Sequence, residues 1–140
     1  GAGGKIRGVE AEKGHGDIGA YKRFAKENDC IVAVSGPTDI ITDGIRAAYV
    51  DNGHPMMGTI TGTGCMLSSV VGCFCGTESD CFEATVAAFA SFGLAGELAV
   101  AHPEAKGPAS FKVAFFDEIY NVTEDKIKEG IKVKIESASV

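Results

Sequence analysis

Gly62-Thr63-Gly64-Cys65 stands immediately before a long apolar segment, and no other part of the sequence is so well suited to chemistry. The first turn of a helix carries N–H groups without intrahelical partners and a partial positive charge. Glycines let those amides approach a ligand without side-chain obstruction. A glycine-flanked helix start is therefore an anion hole, suited to a phosphate or to the charge that develops during phosphoryl transfer. The segment is not a Walker A loop, because no Gly-Lys-Ser/Thr follows. Nor is it GxGxxG, because Leu67 takes the third glycine's place. A tight turn into a packed helix fits the same four residues. Cys65 falls in that first turn, where the dipole favours a thiolate. Such a group could accept a proton from an attacking alcohol, and a loose phosphoryl-transfer transition state asks little of a base. The alternative is a buried structural cysteine, the reading given to Cys30, Cys73, Cys75 and Cys81.

Ser35 ends a short apolar run just before Gly36-Pro37. Ligands of open α/β sheets bind beyond the carboxyl ends of strands, so its hydroxyl could meet a nucleotide phosphate; simple turn chemistry is the alternative. Asp39 and Asp43 are read as local: Asp43-Gly44 as a hairpin turn, Asp39 as an acceptor for nearby backbone. His15, His54 and His102 are far apart in loop-like contexts and are read as surface residues, with no triad or metal set among them.

The elements that must position these residues follow from periodicity and punctuation. Asp17 to Asn28 predicts an amphipathic helix capped by Asp17, with Ile18, Tyr21, Phe24 and Ala25 on one face. Cys30 to Ser35 reads as a buried parallel strand. Thr38 to Thr42 and Ile45 to Val50 read as a hairpin about Asp43-Gly44. The helix after the glycine loop runs to about Cys75 and is apolar nearly all round, which predicts burial on every side. Asp80 caps a longer helix from Cys81 to Ala101. Pro108 starts another, to about Tyr120, with Phe111, Phe115 and Ile119 as its stripe. A short helix begins at Thr123 and stops at Gly130. Ile131, Val133 and Ile135 then alternate with charged residues as an edge strand. The order is that of an α/β protein, and of part of a sheet rather than a whole one.

The chain has 140 residues, 45% hydrophobic and 23% charged, enough for one domain with a core. A net charge of -6 and scattered basic residues argue against a nucleic-acid partner. No signal peptide is visible, and the uncharged apolar run Ala84 to Gly96 is too short and too rich in Ala and Gly for a membrane span. Five cysteines without a CxxC pair argue against zinc or a disulfide framework and suit a reducing cytoplasm.

In this order, several stretches resemble hydroxyethylthiazole kinases of the ribokinase-like superfamily. They are Arg7-Gly-Val-Glu10, Val32-Ala-Val-Ser-Gly-Pro-Thr-Asp39, Ile41-Thr-Asp-Gly44, Asn52-Gly-His54, Thr61-Gly-Thr-Gly-Cys-Met-Leu67, Ser69-Val-Val-Gly72, Gly93-Leu-Ala-Gly-Glu-Leu98 and Gly107-Pro-Ala-Ser-Phe111. The resemblance covers essentially the whole chain. Most of the superfamily has Asp where this sequence has Cys65, and this kinase family characteristically has Cys.

The resemblance implies that residues 1–140 are the C-terminal half of a single ribokinase-like domain, a three-layer α/β/α fold with a mainly parallel sheet. It implies a kinase using ATP and Mg2+ on a thiazole alcohol in thiamine biosynthesis or salvage. Cys65 would be catalytic and Gly62 would contact the alcohol. Gly62, Thr63, Gly64 and Cys65 would form the anion hole, and Ser35, where the family usually has Thr, would touch ATP. Pro37 replaces a commonly acidic residue. The family's acidic metal-site residues lie in the N-terminal half, so no metal ligand is assigned here. A raw sheet edge and exposed apolar surface are expected, covered by the N-terminal half or by other copies in a trimer. The alternatives are a catalytically incomplete nucleotide- or anion-binding fragment, or a kinase of another small alcohol.

Overall fold

Asp17 begins the first helix by accepting the Gly19 N–H at 2.9 Å, and Asp29 ends it in the left-handed region at φ 49°. The computed structural model describes residues 17–137 and, before them, a pair of two-residue strands, β1 (Ile6–Arg7) and β2 (Glu10–Ala11), joined antiparallel. The elements that follow are α1 (Ile18–Asn28), β3 (Val32–Val34), β4 (Asp39–Thr42), β5 (Ala47–Val50), a 3-10 turn (Pro55–Thr59), α2 (Thr63–Thr77), α3 (Cys81–Ala101), α4 (Pro108–Asn121), α5 (Glu124–Gly130) and β6 (Val133–Glu136). His15 and the Gly1–Lys5 stretch lie outside the described residues.

The α/β class expected from the sequence is the class observed, but the sheet differs. Its order is β3-β4-β5-β6 and every pairing is antiparallel, so the described strands do not form a mainly parallel sheet. The reason is connection length. β3 passes to β4 through residues 35–38 and β4 to β5 through residues 43–46, spans that can only reverse the chain, whereas a parallel return needs a crossover of a dozen residues or more. Ile41 and Ala48 pair across the hairpin and pack against Phe82, Val86, Phe89 and Ala90 of α3. Their alternating neighbours Ile40 and Ala47 are buried as well, so both faces of the hairpin are covered.

The hairpin turn is held by Asp43, whose Oδ1 accepts the N–H groups of Ile45 (2.8 Å) and Arg46 (2.6 Å). Gly44, at φ 92°, brings its Cα against the backbone of Lys26 in α1, where a Cβ would sit 2.9 Å from the Lys26 nitrogen. Arg46 then ties the hairpin to the start of α3. It bonds Asp43 at 2.7 Å and Asp80 at 2.7 and 3.1 Å, with its guanidinium 4.3 Å from the Phe82 ring centroid. Asp80 meanwhile caps α3 by accepting from Phe82 and Glu83.

α3 is the central support. Its length and mean hydropathy of 1.6 satisfy the requirements of a membrane span, against the expectation that no stretch would reach them, but 72% of that window is buried among the other elements. On its far side Phe92 meets Phe115 edge-on at 4.9 Å, and Phe111 stacks on Phe115 at 5.6 Å. α2 also departs from expectation, because none of its residues is buried. Met66, Leu67, Val70 and Val71 pack on the core. The other face carries Gly64, Cys65, Ser68, Ser69, Gly72, Cys73 and Gly76, small residues that are exposed. Phe24 is likewise exposed rather than part of the α1 packing face. β6 is an edge strand as expected, but only Val133 of its apolar alternation is partly buried; Ile135 is exposed and Ile131 precedes the strand.

The chain after β5 lies directly on α3 at Gly93, where a Cβ would stand 2.5 Å from the Asn52 carbonyl oxygen. Gly93→Ala should therefore lower unfolding free energy by about 1–3 kcal/mol in a urea titration, since backbone has to move to admit the methyl group. An unchanged midpoint would show that the loop yields without cost.

Candidate functional site

β3 and β5 are each antiparallel to β4, so they run in the same direction and deliver their carboxyl ends to the same end of the sheet. Ser35 leaves β3 there, Asn52-Gly53-His54 leaves β5 there, and Asp39 enters β4 between them. The 3-10 turn and the N-terminus of α2 close the space. The result is a cleft of about 740 Å³ with polar contributions from Ser35, Asp39, His54, Thr63 and Gly64 and an apolar wall of Met57, Leu67, Phe89 and Phe92.

Three of the residues singled out in the sequence, Ser35, Thr63 and Gly64, thus share one cleft. Gly62 and Cys65 flank them in the chain but are not among its lining residues; Cys65 is exposed. Gly62 is the N-cap of α2 at φ 97°, with open space where a Cβ would be. The first helical bond runs from the Met66 N–H to the Gly62 carbonyl, which leaves the amides of Thr63, Gly64 and Cys65 outside the ladder. The Thr63 hydroxyl is turned back to the Met57 carbonyl at 3.3 Å, so this residue presents its backbone rather than its side chain. Ser35 is exposed at the mouth of the turn.

Asp39 accepts the Gly36 N–H at 2.9 Å, the local role expected of it. Burial pushes its carboxyl up to about 6, despite that hydrogen bond, and the nearby Asp51 charge adds to the rise. Asp51 itself accepts the Thr38 hydroxyl at 2.6 Å.

Sequence reasoning missed what holds this end together. Asn52 is buried and donates to Glu97 Oε1 (3.2 Å) and the Gly130 carbonyl (3.0 Å), while its Oδ1 accepts from the Lys132 N–H at 2.7 Å. Glu97 also accepts the Gly53 N–H at 2.8 Å and the Lys132 ammonium at 2.7 Å. Burial works to raise the Glu97 carboxyl, but Lys132, Gly53 and Asn52 outweigh it and hold it below the ordinary range. A signal was available: Glu97 is the sole charged residue between Ala84 and Ala101, and a lone charge in an apolar helix needs partners.

The two described histidines are exposed, but each has a partner. His54 lines the cleft, with Nδ1 accepting the Met56 N–H at 3.1 Å. His102 sits outside it, 2.8 Å from Glu118, which also bonds Lys126 at 3.0 Å.

The α/β scaffold thus brings an open helix start and a strand-end hydroxyl to one cleft. The sequence profile described as "Hydroxyethylthiazole kinase family" matches residues 1–125. A hydroxyethylthiazole kinase of Thermoanaerobacter pseudethanolicus is 61% identical over 97% of this chain and 52% of its own length. That of Methanocella arvoryzae is 52% identical over 96% of this chain and 50% of its own. The solved structure of the hydroxyethylthiazole kinase protein from Pyrococcus horikoshii OT3 superposes with a TM-score of 0.77 at 38% identity, covering 84% of this chain and 45% of that one. The chain belongs to the hydroxyethylthiazole kinase family and spans about half the length of the curated relatives it matches.

Asp39→Asn keeps an oxygen for the Gly36 N–H and removes the ionisable group. Because the folded chain holds the Asp39 proton more tightly than the unfolded one, stability falls as pH rises from 3.8 to about 6, and the full cost is present above that. Asp39→Asn should be more stable than the parent by roughly 1–3 kcal/mol near pH 8 and indistinguishable from it near pH 3. Thermal melts across that range check the sign, and a pH-independent difference would contradict it.

Proposed function

We propose that this chain supplies the phosphate-holding and catalytic parts of an ATP-dependent hydroxyethylthiazole kinase. The reaction transfers the γ-phosphoryl group of ATP to the hydroxyl of 4-methyl-5-(2-hydroxyethyl)thiazole in thiamine biosynthesis or salvage. The observation that carries the reading is the start of α2, where Gly62 at φ 97° opens a helix whose Thr63 and Gly64 line the same cleft as Ser35. Family membership supports reading the two substrates as ATP and the thiazole alcohol.

The roles assigned here rest on the family resemblance, and the chemistry of the groups suits them. Amides from Gly62 to Cys65 stabilise charge on the transferred phosphoryl group, where fixed donors act without reorganisation. The Ser35 hydroxyl donates to an ATP phosphate oxygen. Gly62, which presents no side chain, lets the thiazole alcohol approach. Cys65 Sγ takes the alcohol's proton as its oxygen bonds to phosphorus and the bond to the ADP oxygen breaks. The cleft has the volume and the mixed lining of a small-molecule site. ATP enters such reactions with Mg2+. Among the described residues no three His, Cys, Asp or Glu side chains are grouped to hold a metal, so no residue here is assigned to that ion.

The whole kinase would bring the remaining length of the relatives or further copies of this chain, as a trimer, against exposed apolar groups such as Val113, Phe116 and Tyr120 on α4. Five free thiols fit a reducing cytoplasm.

The chain incubated with Mg-ATP and the thiazole alcohol should yield the phosphorylated thiazole, read by mass. Cys65→Ala should lower kcat about a hundredfold and leave the KM for ATP nearly unchanged. Equal turnover would remove Cys65 from the mechanism. Nucleotide binding without product, beside an active full-length relative, would make the chain a binding portion of the kinase rather than a self-sufficient enzyme.

A further inference from the structure

His54 is the one cleft-lining residue whose ring is held by a hydrogen bond to its own turn. It has extended backbone, φ -142° and ψ 144°, and caps the 3-10 turn by accepting the Met56 N–H on Nδ1 at 3.1 Å. A neutral imidazole that accepts on Nδ1 carries its proton on Nε2. That Nε2–H has no partner among the described residues, and the ring belongs to the cleft wall. The cap therefore does two things. It satisfies a backbone amide, and it fixes both the orientation of the ring and the tautomer that presents a donor.

The segment bearing His54 is also placed firmly. Asn52, two residues before it, is buried with three hydrogen bonds, and Gly53 donates to Glu97. Gly53 takes φ 135°, a conformation that side-chain-bearing residues rarely adopt, and Gly93 lets the loop seat on α3. A donor held on an anchored loop loses little entropy on meeting a ligand.

We propose that His54 is a ligand-contacting residue of this cleft, donating its Nε2–H to a phosphate oxygen of the bound nucleotide. The inference rests on reading the cleft as a nucleotide site and adds to that reading a second donor, on the loop after β5. Phosphate oxygens only accept, so a neutral imidazole with Nε2–H matches them. The N-terminus of α2 lines the same cleft and draws the anion to it.

Two substitutions separate capping from ligand contact. His54→Asn retains an acceptor at about the position of Nδ1 and a favourable cap, but has nothing at Nε2. His54→Gln reaches the position of Nε2 with an amide donor and forfeits the cap. Titration calorimetry of the whole chain with Mg-ATP, and separately with inorganic tripolyphosphate, reads the result. His54→Asn should melt as the parent does and bind both ligands about tenfold more weakly. His54→Gln should melt lower and lose less affinity than His54→Asn. Parent-like affinity for tripolyphosphate in His54→Asn overturns the phosphate contact while leaving the nucleotide site standing. A parent chain that binds neither ligand overturns the nucleotide site, and this contact with it.

Discussion

Glu97 is a carboxylate placed near the C-terminal end of an apolar helix, and the end of the molecule that bears the cleft is organised around neutralising it. Left alone, such a group would cost several kcal/mol or take up a proton. Here it accepts from Lys132, Gly53 and Asn52 together, which keeps it ionised and makes each of those donors dependent on it. Removing Glu97 would leave Asn52 with an unsatisfied amide hydrogen beneath the loop that leads to His54, so the effect would reach the cleft without any direct contact to a ligand. A buried polar network of this kind specifies one arrangement only because every member is satisfied.

From that anchor the cleft follows by geometry. Two strands running the same way deposit Ser35 and the Asn52–His54 loop at the same end, and α2 returns to that end with its unpaired amides. The rule that ligands sit beyond the carboxyl ends of strands is usually stated for parallel sheets. The same arrangement of strand ends arises here because alternate strands of an antiparallel sheet are parallel to each other. The helix end is positive, and beside it burial and the Asp51 charge raise the Asp39 carboxyl to about 6.

What could be read in the sequence was whatever short-range chemistry decides. Asp17 and Asp80 cap the helices they were expected to cap, the short helix begins at Thr123 as expected, and Asp43-Gly44 makes the hairpin, because a cap or a turn needs only residues within a few positions. Strand direction was misjudged because an apolar run such as Ile31 to Val34 looks the same in either pairing, and only the length of the following connection distinguishes them. The burial of α2 falls short of expectation because Met66, Leu67, Val70 and Val71 fill one face only, while the opposite face is Gly, Cys and Ser, small residues that cost little when exposed. The cleft was partly legible: Ser35 and the glycine loop were singled out, whereas His54 was set aside as surface and the Asn52–Glu97 contact spans 45 residues, beyond any local pattern.

The bond from Lys132 to Asn52 joins residues 80 positions apart, and it has a meaning for how the protein is made. Synthesis runs from the N-terminus, so the glycine loop and the strand ends exist long before the segment that fastens them. Until Gly130 and Lys132 have left the ribosome, Asn52 lacks two of its three partners and the loop after β5 has no fixed seat. The order of translation thereby delays assembly of the cleft until nearly all the residues described here have been made, and a nascent chain cannot form the complete site on its early residues alone.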